Sequence, residues 1–212
     1  VKSLKKGAFE FIEKPFDLER LLNFVNRAVE NYQLKKQNRE YETKLFSSYD
    51  LIGDSKNITT IKDQIQKISI TDSRILINGP SGSGKELVAR KIHKQSKRNK
   101  KPFVILNGAL LDTAKYELEL FGEEKQNGVI SYGALEKANK GTLLIDQVSE
   151  IPLDIQSKIL RVLVDQKFKR INGNNDINVD VRIICSSSKN LKNEIEIGNF
   201  REDLYHRLNV FE

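Results

Sequence analysis

Hydrophobic residues follow one rhythm at the head of the chain and another from about Asp50 onward. Leu18, Leu22, Val25, Val29 and Tyr32 recur at alternating spacings of four and three. That is the pattern of an amphipathic helix with a narrow, coiled-coil-like seam, and Asp17 is a fair N-cap for it. The register breaks at Lys36, where Leu34, Tyr41 and Leu45 mark a shifted seam. Such a helix either packs on its own domain or leaves it to pair with a second copy, and pairing is the reading adopted. Ahead of it, Ala8-Phe9-Glu10-Phe11-Ile12 reads as a short buried strand running into Lys14-Pro15-Phe16.

Beyond Asp50, near-continuous apolar runs at 74–78, 103–107, 142–146 and 179–186 predict strands. Amphipathic stretches at 57–68, 85–95, 116–121 and 153–165 predict helices. Apolar strands alternating with helices argue for an α/β domain with a mostly parallel sheet covered on both faces. The chain thus divides into 1–17, a linker helix at 18–47, and an α/β body at 48–212.

Composition narrows the function classes. With 212 residues, an α/β unit buries about 70 % of its unfolded surface and needs no covalent staples. The single cysteine, Cys185, excludes a disulfide framework and fits a reducing cytoplasm. It lies in an apolar run and is most simply a core thiol. No apolar run is long enough to span a bilayer. The chain starts at Val1 and has no methionine, which points to an internal segment of a longer protein. Net charge is +7, but Lys94, Lys97, Arg98, Lys100 and Lys101 crowd one stretch with no interleaved aromatics. That stretch reads as a solvated loop, and charge alone does not make a nucleic-acid binder. His93 and His206 lie far apart without ligand partners.

The sharpest local signal is Gly79-Pro80-Ser81-Gly82-Ser83-Gly84-Lys85, set between the apolar run Ile75-Leu76-Ile77 and the helical Leu87-Val88-Ala89-Arg90. Strand, glycine loop and helix in that order form a P-loop. Glycines let the backbone wrap phosphate oxygens with N–H groups, the helix N-terminus adds its positive end, and Lys85 brings a full charge to the β/γ phosphates. Position 86 is glutamate where the general pattern has a hydroxyl for Mg²⁺, so water would complete the metal shell. Downstream, Leu143-Leu144-Ile145-Asp146 is an apolar strand ending in an acid, the Walker B pattern. Asp146 would hold Mg²⁺ directly or through water.

Several further runs carry a resemblance. Asn78 to Glu86, Glu119-Leu120-Phe121-Gly122, and Gly141-Thr142-Leu143-Leu144-Ile145-Asp146 are three of them. The others are Pro152-Leu153 with Gln156, Leu160-Arg161-Val162-Leu163, Val179-Asp180-Val181-Arg182-Ile183-Ile184, and Phe200 to Asn209. From Leu51 to Glu212 the sequence resembles the AAA+ domain of NtrC-type, sigma-54-dependent response regulators, in an arrangement most like the NtrX branch. The resemblance implies a P-loop AAA+ fold of three layers that binds ATP and Mg²⁺. It implies Glu86 as the usual neighbour of the lysine, and adds Leu87, Ile52 and Gly53 to the nucleotide-binding set. Residues 7–16 resemble the end of a receiver domain, with Lys14 matching the lysine that pairs with the phosphoryl group. A histidine kinase, RNA polymerase and a homo-oligomer, dimer or ring, are the implied partners of a full-length parent. DNA is not expected to be bound through the residues present.

By the same resemblance Arg201 and Arg207 fall on the arginine-finger positions, which reach into a neighbouring subunit's site. Read without it, they are two surface arginines on a helix, paired to Glu202 or Asp203. The candidate catalytic set is therefore Asp146, Gln147, Ser188, Arg201 and Arg207. Three positions depart from the family's pattern. Gln147 replaces the glutamate that polarises the attacking water, and an amide cannot accept that proton. Losing a general base costs roughly 10²–10⁴ in rate. Glu150, three residues on, could not take that place without rebuilding the loop. The segment after Glu124-Lys125 is short and lacks the Gly-Ala-Phe-Thr-Gly-Ala loop that touches the sigma factor. Ser188 stands where the sensor asparagine is found. The sequence thus predicts an ATP-binding module with weakened hydrolysis and impaired sigma-54 contact. The alternative is an active Mg²⁺-dependent ATPase that remodels sigma-54 polymerase to activate transcription.

Overall fold

The protein is described from a computed structural model that covers residues 18–19, 21–30, 32–33, 50–110, 113–126 and 128–210. The expected strand at 8–12, Lys14 and the shifted seam at Leu34, Tyr41 and Leu45 lie outside the described residues. Two compact units divide the chain, Val1–Asp50 and Leu51–Glu212.

In the first unit residues 21–30 are helical, as are 18, 19, 32 and 33. The predicted seam is real as a helical stripe, and Leu18, Leu22, Val25, Val29 and Tyr32 are all exposed.

The second unit is built on a four-stranded parallel sheet. Its strands are β1 (Ile75–Asn78), β2 (Phe103–Asn107), β5 (Thr142–Asp146) and β8 (Arg182–Ser187), in the order β1-β8-β5-β2. Strand side chains alternate faces, and the core splits accordingly. Leu76, Leu106, Leu143, Ile145, Ile183 and Cys185 enter one cluster, while their neighbours Ile75, Leu144 and Ile184 enter another. The smaller cluster is closed by α1 (Lys56–Ser69) and α2 (Lys85–Lys94) through Ile65, Ile68, Ala89 and Ile92. The larger is closed by α3 (Thr113–Phe121), α4 (Ala134–Lys137), α5 (Leu153–Asp165), α6 (Leu191–Glu196) and α7 (Glu202–Leu208). The three-layer parallel architecture expected from the apolar strands is the one observed.

Two details differ from the sequence reading. Residues 179–181 do not belong to β8, because their backbone groups are taken elsewhere. Val179 N–H donates to Gln166 O, Asp180 N–H to Asn139 Oδ1, and Asp180 O accepts from Lys140 N–H. Two antiparallel hairpins, β3 (Gly122–Glu124) with β4 (Ile130–Tyr132) and β6 (Lys167–Phe168) with β7 (Ile177–Asn178), also escape the reading. Their strands of two or three residues are too short to display an alternating pattern.

The cationic stretch around residue 98 is not merely a solvated loop. Arg98 reaches Asp72 at 2.9 Å and Asp180 at 2.7 Å and donates to the Asp180 carbonyl. It ties the turn after α1 to the approach to β8.

Candidate nucleotide site

Three parallel strands, β1, β8 and β5, end side by side, and their carboxyl ends open on one crevice, the usual ligand site of such sheets. The loop leaving β1 is anchored there, since Gly79 N–H donates to Ser187 O at 3.2 Å. A Cβ on Gly79 would lie 2.9 Å from Ser83 Oγ, a measure of how tightly the loop curls back on itself. Gly82 and Gly84 take φ of +78° and +89°, a conformation that costs other residues. Gly84 is the N-cap of α2, leaving the first N–H groups of that helix without intrahelical partners and facing the loop. Lys85 is only 8 % exposed, and its Nζ donates to Gly79 O at 2.9 Å and Pro80 O at 2.8 Å. The ammonium is thereby held inside the curl formed by Gly79, Pro80, Ser81, Gly82 and Ser83. Backbone donors, a helix N-terminus and a cation at one point fit a polyphosphate.

The other predicted binding residues are placed less centrally. Glu86 turns along α2 onto Arg90, whose Nε and Nη2 both reach its Oε1 at 2.7 Å. Arg90 in turn lies 5.0 Å above the Phe103 ring. Leu87 follows in the first turn of α2 and is half-buried. Gly53 is tied to α1, where its carbonyl accepts from Lys62 Nζ at 2.8 Å, and Ile52 ahead of it is 91 % exposed.

On the facing side, Asp146 closes β5, with Ser186 Oγ donating to its Oδ1. Gln147, the next residue, adopts φ 56° and ψ 54°, the left-handed region that non-glycine residues rarely occupy. Its N–H donates to Ser186 Oγ at 3.3 Å, and its Oε1 accepts from Ser188 Oγ at 2.7 Å. Ser187 Oγ donates to Lys189 O at 2.8 Å. Three consecutive serines at the end of β8 thus wire β5 and the loop of Lys189 together, while the Ser187 carbonyl takes the glycine loop. Sequence reading singled out only Ser188. The run of three hydroxyls at the end of an apolar strand was the signal for the other two.

A cleft of about 470 Å³ adjoins the glycine loop, lined by Asn78, Gly79, Pro80, Ser188, Lys189, Asn190, Leu191, Lys192 and Tyr205. Glu150 does not enter it as a spare base. Its carboxylate pairs with Lys189 Nζ at 2.9 Å and so raises the lysine's pKa. Among the described residues no group of three His, Cys, Asp or Glu side chains could hold a metal by itself. Any Mg²⁺ here would rest on Asp146, water and phosphate oxygens, the usual pattern for that ion.

Arg201 is clasped within its own chain, with Nε 3.0 Å and Nη2 2.7 Å from the two oxygens of Asp203. Hydrogen bonding from Arg201, with its charge adding to the effect, holds the Asp203 carboxyl below its ordinary pKa. Its backbone N–H donates to Gln156 Oε1 at 2.8 Å, and the buried Gln156 amide also donates to Ile151 O and Asn199 O. Gln156 therefore fixes the start of α7 against α5. Arg207 is exposed in the last turn of α7. Neither arginine lines the cleft beside the glycine loop. His93 and His206 remain apart. His93 is buried with Nδ1 2.9 Å from Thr142 Oγ1, and His206 lies 3.7 Å from Glu202. Cys185 is buried, which pushes its thiol pKa up and makes it a core residue.

Sheet order, glycine loop, buried lysine and acid-tipped β5 define a domain of the P-loop NTPase class. The chain belongs to the family of sigma-54 interaction domains, whose profile matches residues 51–212. It is 46 % identical over 211 residues to the nitrogen assimilation regulatory protein NtrX of Azorhizobium caulinodans, covering 99 % of this chain and 46 % of that protein. It is 41 % identical over 214 residues to the DNA-binding transcriptional regulator NtrC of Salmonella typhimurium, covering 99 % of this chain and 45 % of that protein. The crystal structure of NtrX from Brucella abortus superposes with a TM-score of 0.84 at 45 % identity, over 99 % of this chain and 47 % of that one. The Brucella protein has also been solved in complex with ADP and with ATP. The chain thus spans about half the length of the curated relatives it matches.

Proposed function

We propose that this chain is the ATP-binding AAA+ module of a two-component response-regulator transcription factor that holds ATP and hydrolyses it weakly. One juxtaposition carries the reading: a complete phosphate cradle around Lys85 faces an amide, Gln147, at the position next to Asp146. The ATP and ADP complexes of the Brucella relative support nucleotide binding. Mg²⁺ would be held by Asp146 through its carboxylate and water. A bound ion would link the phosphates held by the P-loop to Asp146 at the end of β5, while the amide of Gln147 is too weakly basic to take a proton from water.

Contact with sigma-54 is impaired in this reading, because the expected contact loop is reduced to the β3–β4 hairpin. Arg170 clamps that hairpin, lying 2.8 Å from Glu124 and 2.6 Å from Glu136, with Tyr132 stacked 5.5 Å from its guanidinium. The full-length parent would work in the cytoplasm with a histidine kinase and RNA polymerase, as a homo-oligomer. In such an assembly Arg201 and Arg207, exposed on α7, are available to a neighbouring subunit once Arg201 leaves Asp203. Among the described residues no helix is long and apolar enough to cross a membrane.

Equilibrium titration with ATP tests the reading. Binding in the micromolar to low-millimolar range is expected, and Lys85→Ala is expected to abolish it. Absence of binding to the unmodified chain would overturn the proposal.

A further inference from the structure

The edge of the sheet opposite the nucleotide crevice, where β2, β5 and β8 begin, is cationic. Lys97, Lys100 and Lys101 lie between α2 and β2, Lys137 ends α4, Lys140 precedes β5, and all five are exposed. The backbone brings these two stretches together. Phe103 and Thr142 are register partners at the start of β2 and β5, and Thr142 N–H donates to Pro102 O at 2.9 Å. A Cβ on Gly141 would lie 2.1 Å from that same carbonyl oxygen, so the close approach requires glycine. One step further out stand Lys101 and Lys140. Arg98 Nη1 and Lys140 N–H share the Asp180 carbonyl, at 3.1 and 2.7 Å, which fixes the Lys97–Lys101 turn against Lys140. The neighbouring carboxylates of Asp72 and Asp180 both pair with Arg98, at 2.9 and 2.7 Å. Among the described residues none of the five lysines has an ion-pair partner. The negative end of a helix accounts for Lys137, in the last turn of α4, but not for the four lysines that lie outside the helices. Lys140 also holds φ 63°, a conformation that glycine takes freely and that costs a residue with a side chain. A cation placed there at a conformational cost is an observation independent of the charge count.

We propose that these lysines form a site for the phosphate backbone of double-stranded DNA, separate from the nucleotide crevice and indifferent to base sequence. The choice of DNA as the polyanion rests on the transcription-factor reading above. Uniform positive charge without free carboxylates complements a uniformly charged backbone. Single strands call in addition for exposed rings on which bases stack. The ring at hand, Phe103, is occupied, with the Arg90 guanidinium 5.0 Å and the His93 ring 5.1 Å away. Phosphate contacts of this kind position a duplex and carry no sequence information. The sequence alone points away from DNA contact here, because the lysines come from two separate stretches that only the β2–β5 pairing unites.

Fluorescence anisotropy of two labelled DNA duplexes of unrelated sequence, titrated with the chain over a series of salt concentrations, tests this. Both duplexes are expected to bind alike, with affinity falling roughly 10²–10³-fold between about 50 and 200 mM salt, a log–log slope of about −4 to −5. Lys101→Gln and Lys140→Gln should each make that slope shallower by about 0.9. Lys56→Gln, at the far end of α1, should leave it unchanged. Lys140→Gly should raise the thermal midpoint by relieving the left-handed backbone and still weaken DNA binding, whereas Lys140→Arg should keep it. ATP titration of the same samples should not move between variants, which shows that each is folded. No binding to either duplex at low salt, or a slope unmoved by Lys101→Gln and Lys140→Gln, would overturn the site while leaving the nucleotide reading intact. A marked preference for one of the two sequences, or tighter binding of an RNA duplex than of DNA, would also overturn it. DNA binding without ATP binding in the unmodified chain would overturn the nucleotide reading and support this one.

Discussion

At the scale of single residues, the chain invests its buried polar groups in joining elements that are distant in sequence. Arg182 is 2 % exposed and donates to the carbonyls of Ile68, Ser69 and Ser73, at 2.8, 3.3 and 3.4 Å. The carbonyls of Ile68 and Ser69 end α1, so the guanidinium serves as a C-terminal cap and meets the negative end of the helix dipole. Burial lowers its pKa but leaves it a cation among carbonyls. Arg182→Met should lower stability by about 2–4 kcal/mol, because the orphaned carbonyls stay buried; a urea unfolding midpoint checks this. His93 gives a pH signature. Burial pushes its pKa from 6.5 down to about 4 in the folded chain, so the unfolded chain binds the extra proton between those values. Stability should therefore fall as pH drops from about 6.5 toward 4, and His93→Gln should flatten that slope in acid-titrated thermal melts. The phosphate cradle was legible in the sequence because its loop, lysine and helix start are contiguous. The role of Arg182 was not, since its strongest partner lies 114 residues away. The bonds from Ser186 to Asp146 and from Ser188 to Gln147 were hidden likewise, bridging 40 and 41 residues.

At the scale of elements, periodicity served well wherever an element was long or deeply buried. The four parallel strands and the helices α1, α2 and α5 were predicted within a few residues. Short pieces defined by partners, such as the β3–β4 hairpin, carry no period of their own. The linker helix is the reverse case, with a clear stripe that lies exposed among the described residues. Leu22, Val25 and Val29 are each about half exposed, at 52, 48 and 48 %. An isolated helix of this length is marginal in water, so pairing with a second copy would stabilise both its helicity and the oligomer. Replacing Leu22, Val25 and Val29 with glutamine should therefore convert a dimer to a monomer in sedimentation velocity and lower helical circular dichroism together. A monomer in the unmodified chain at high micromolar concentration would remove the basis for that pairing.

At the scale of the whole molecule, the parts of an AAA+ site are present in unequal condition. The cradle around Lys85, Asp146 at the end of β5 and the three-layer sheet are intact. Beside Asp146 stands the amide of Gln147, the β3–β4 hairpin is clamped by Arg170, and Arg201 is bound to Asp203 within its own chain. The function proposed above takes that pattern as one of occupancy over turnover. The most direct test measures ATP hydrolysis at saturating ATP and Mg²⁺ in the unmodified chain and in Gln147→Glu, with binding measured on the same samples. A chain that binds ATP but turns it over at least about 10²-fold more slowly than Gln147→Glu is the expected result. Equal turnover in the two, at a rate ordinary for such ATPases, would contradict it.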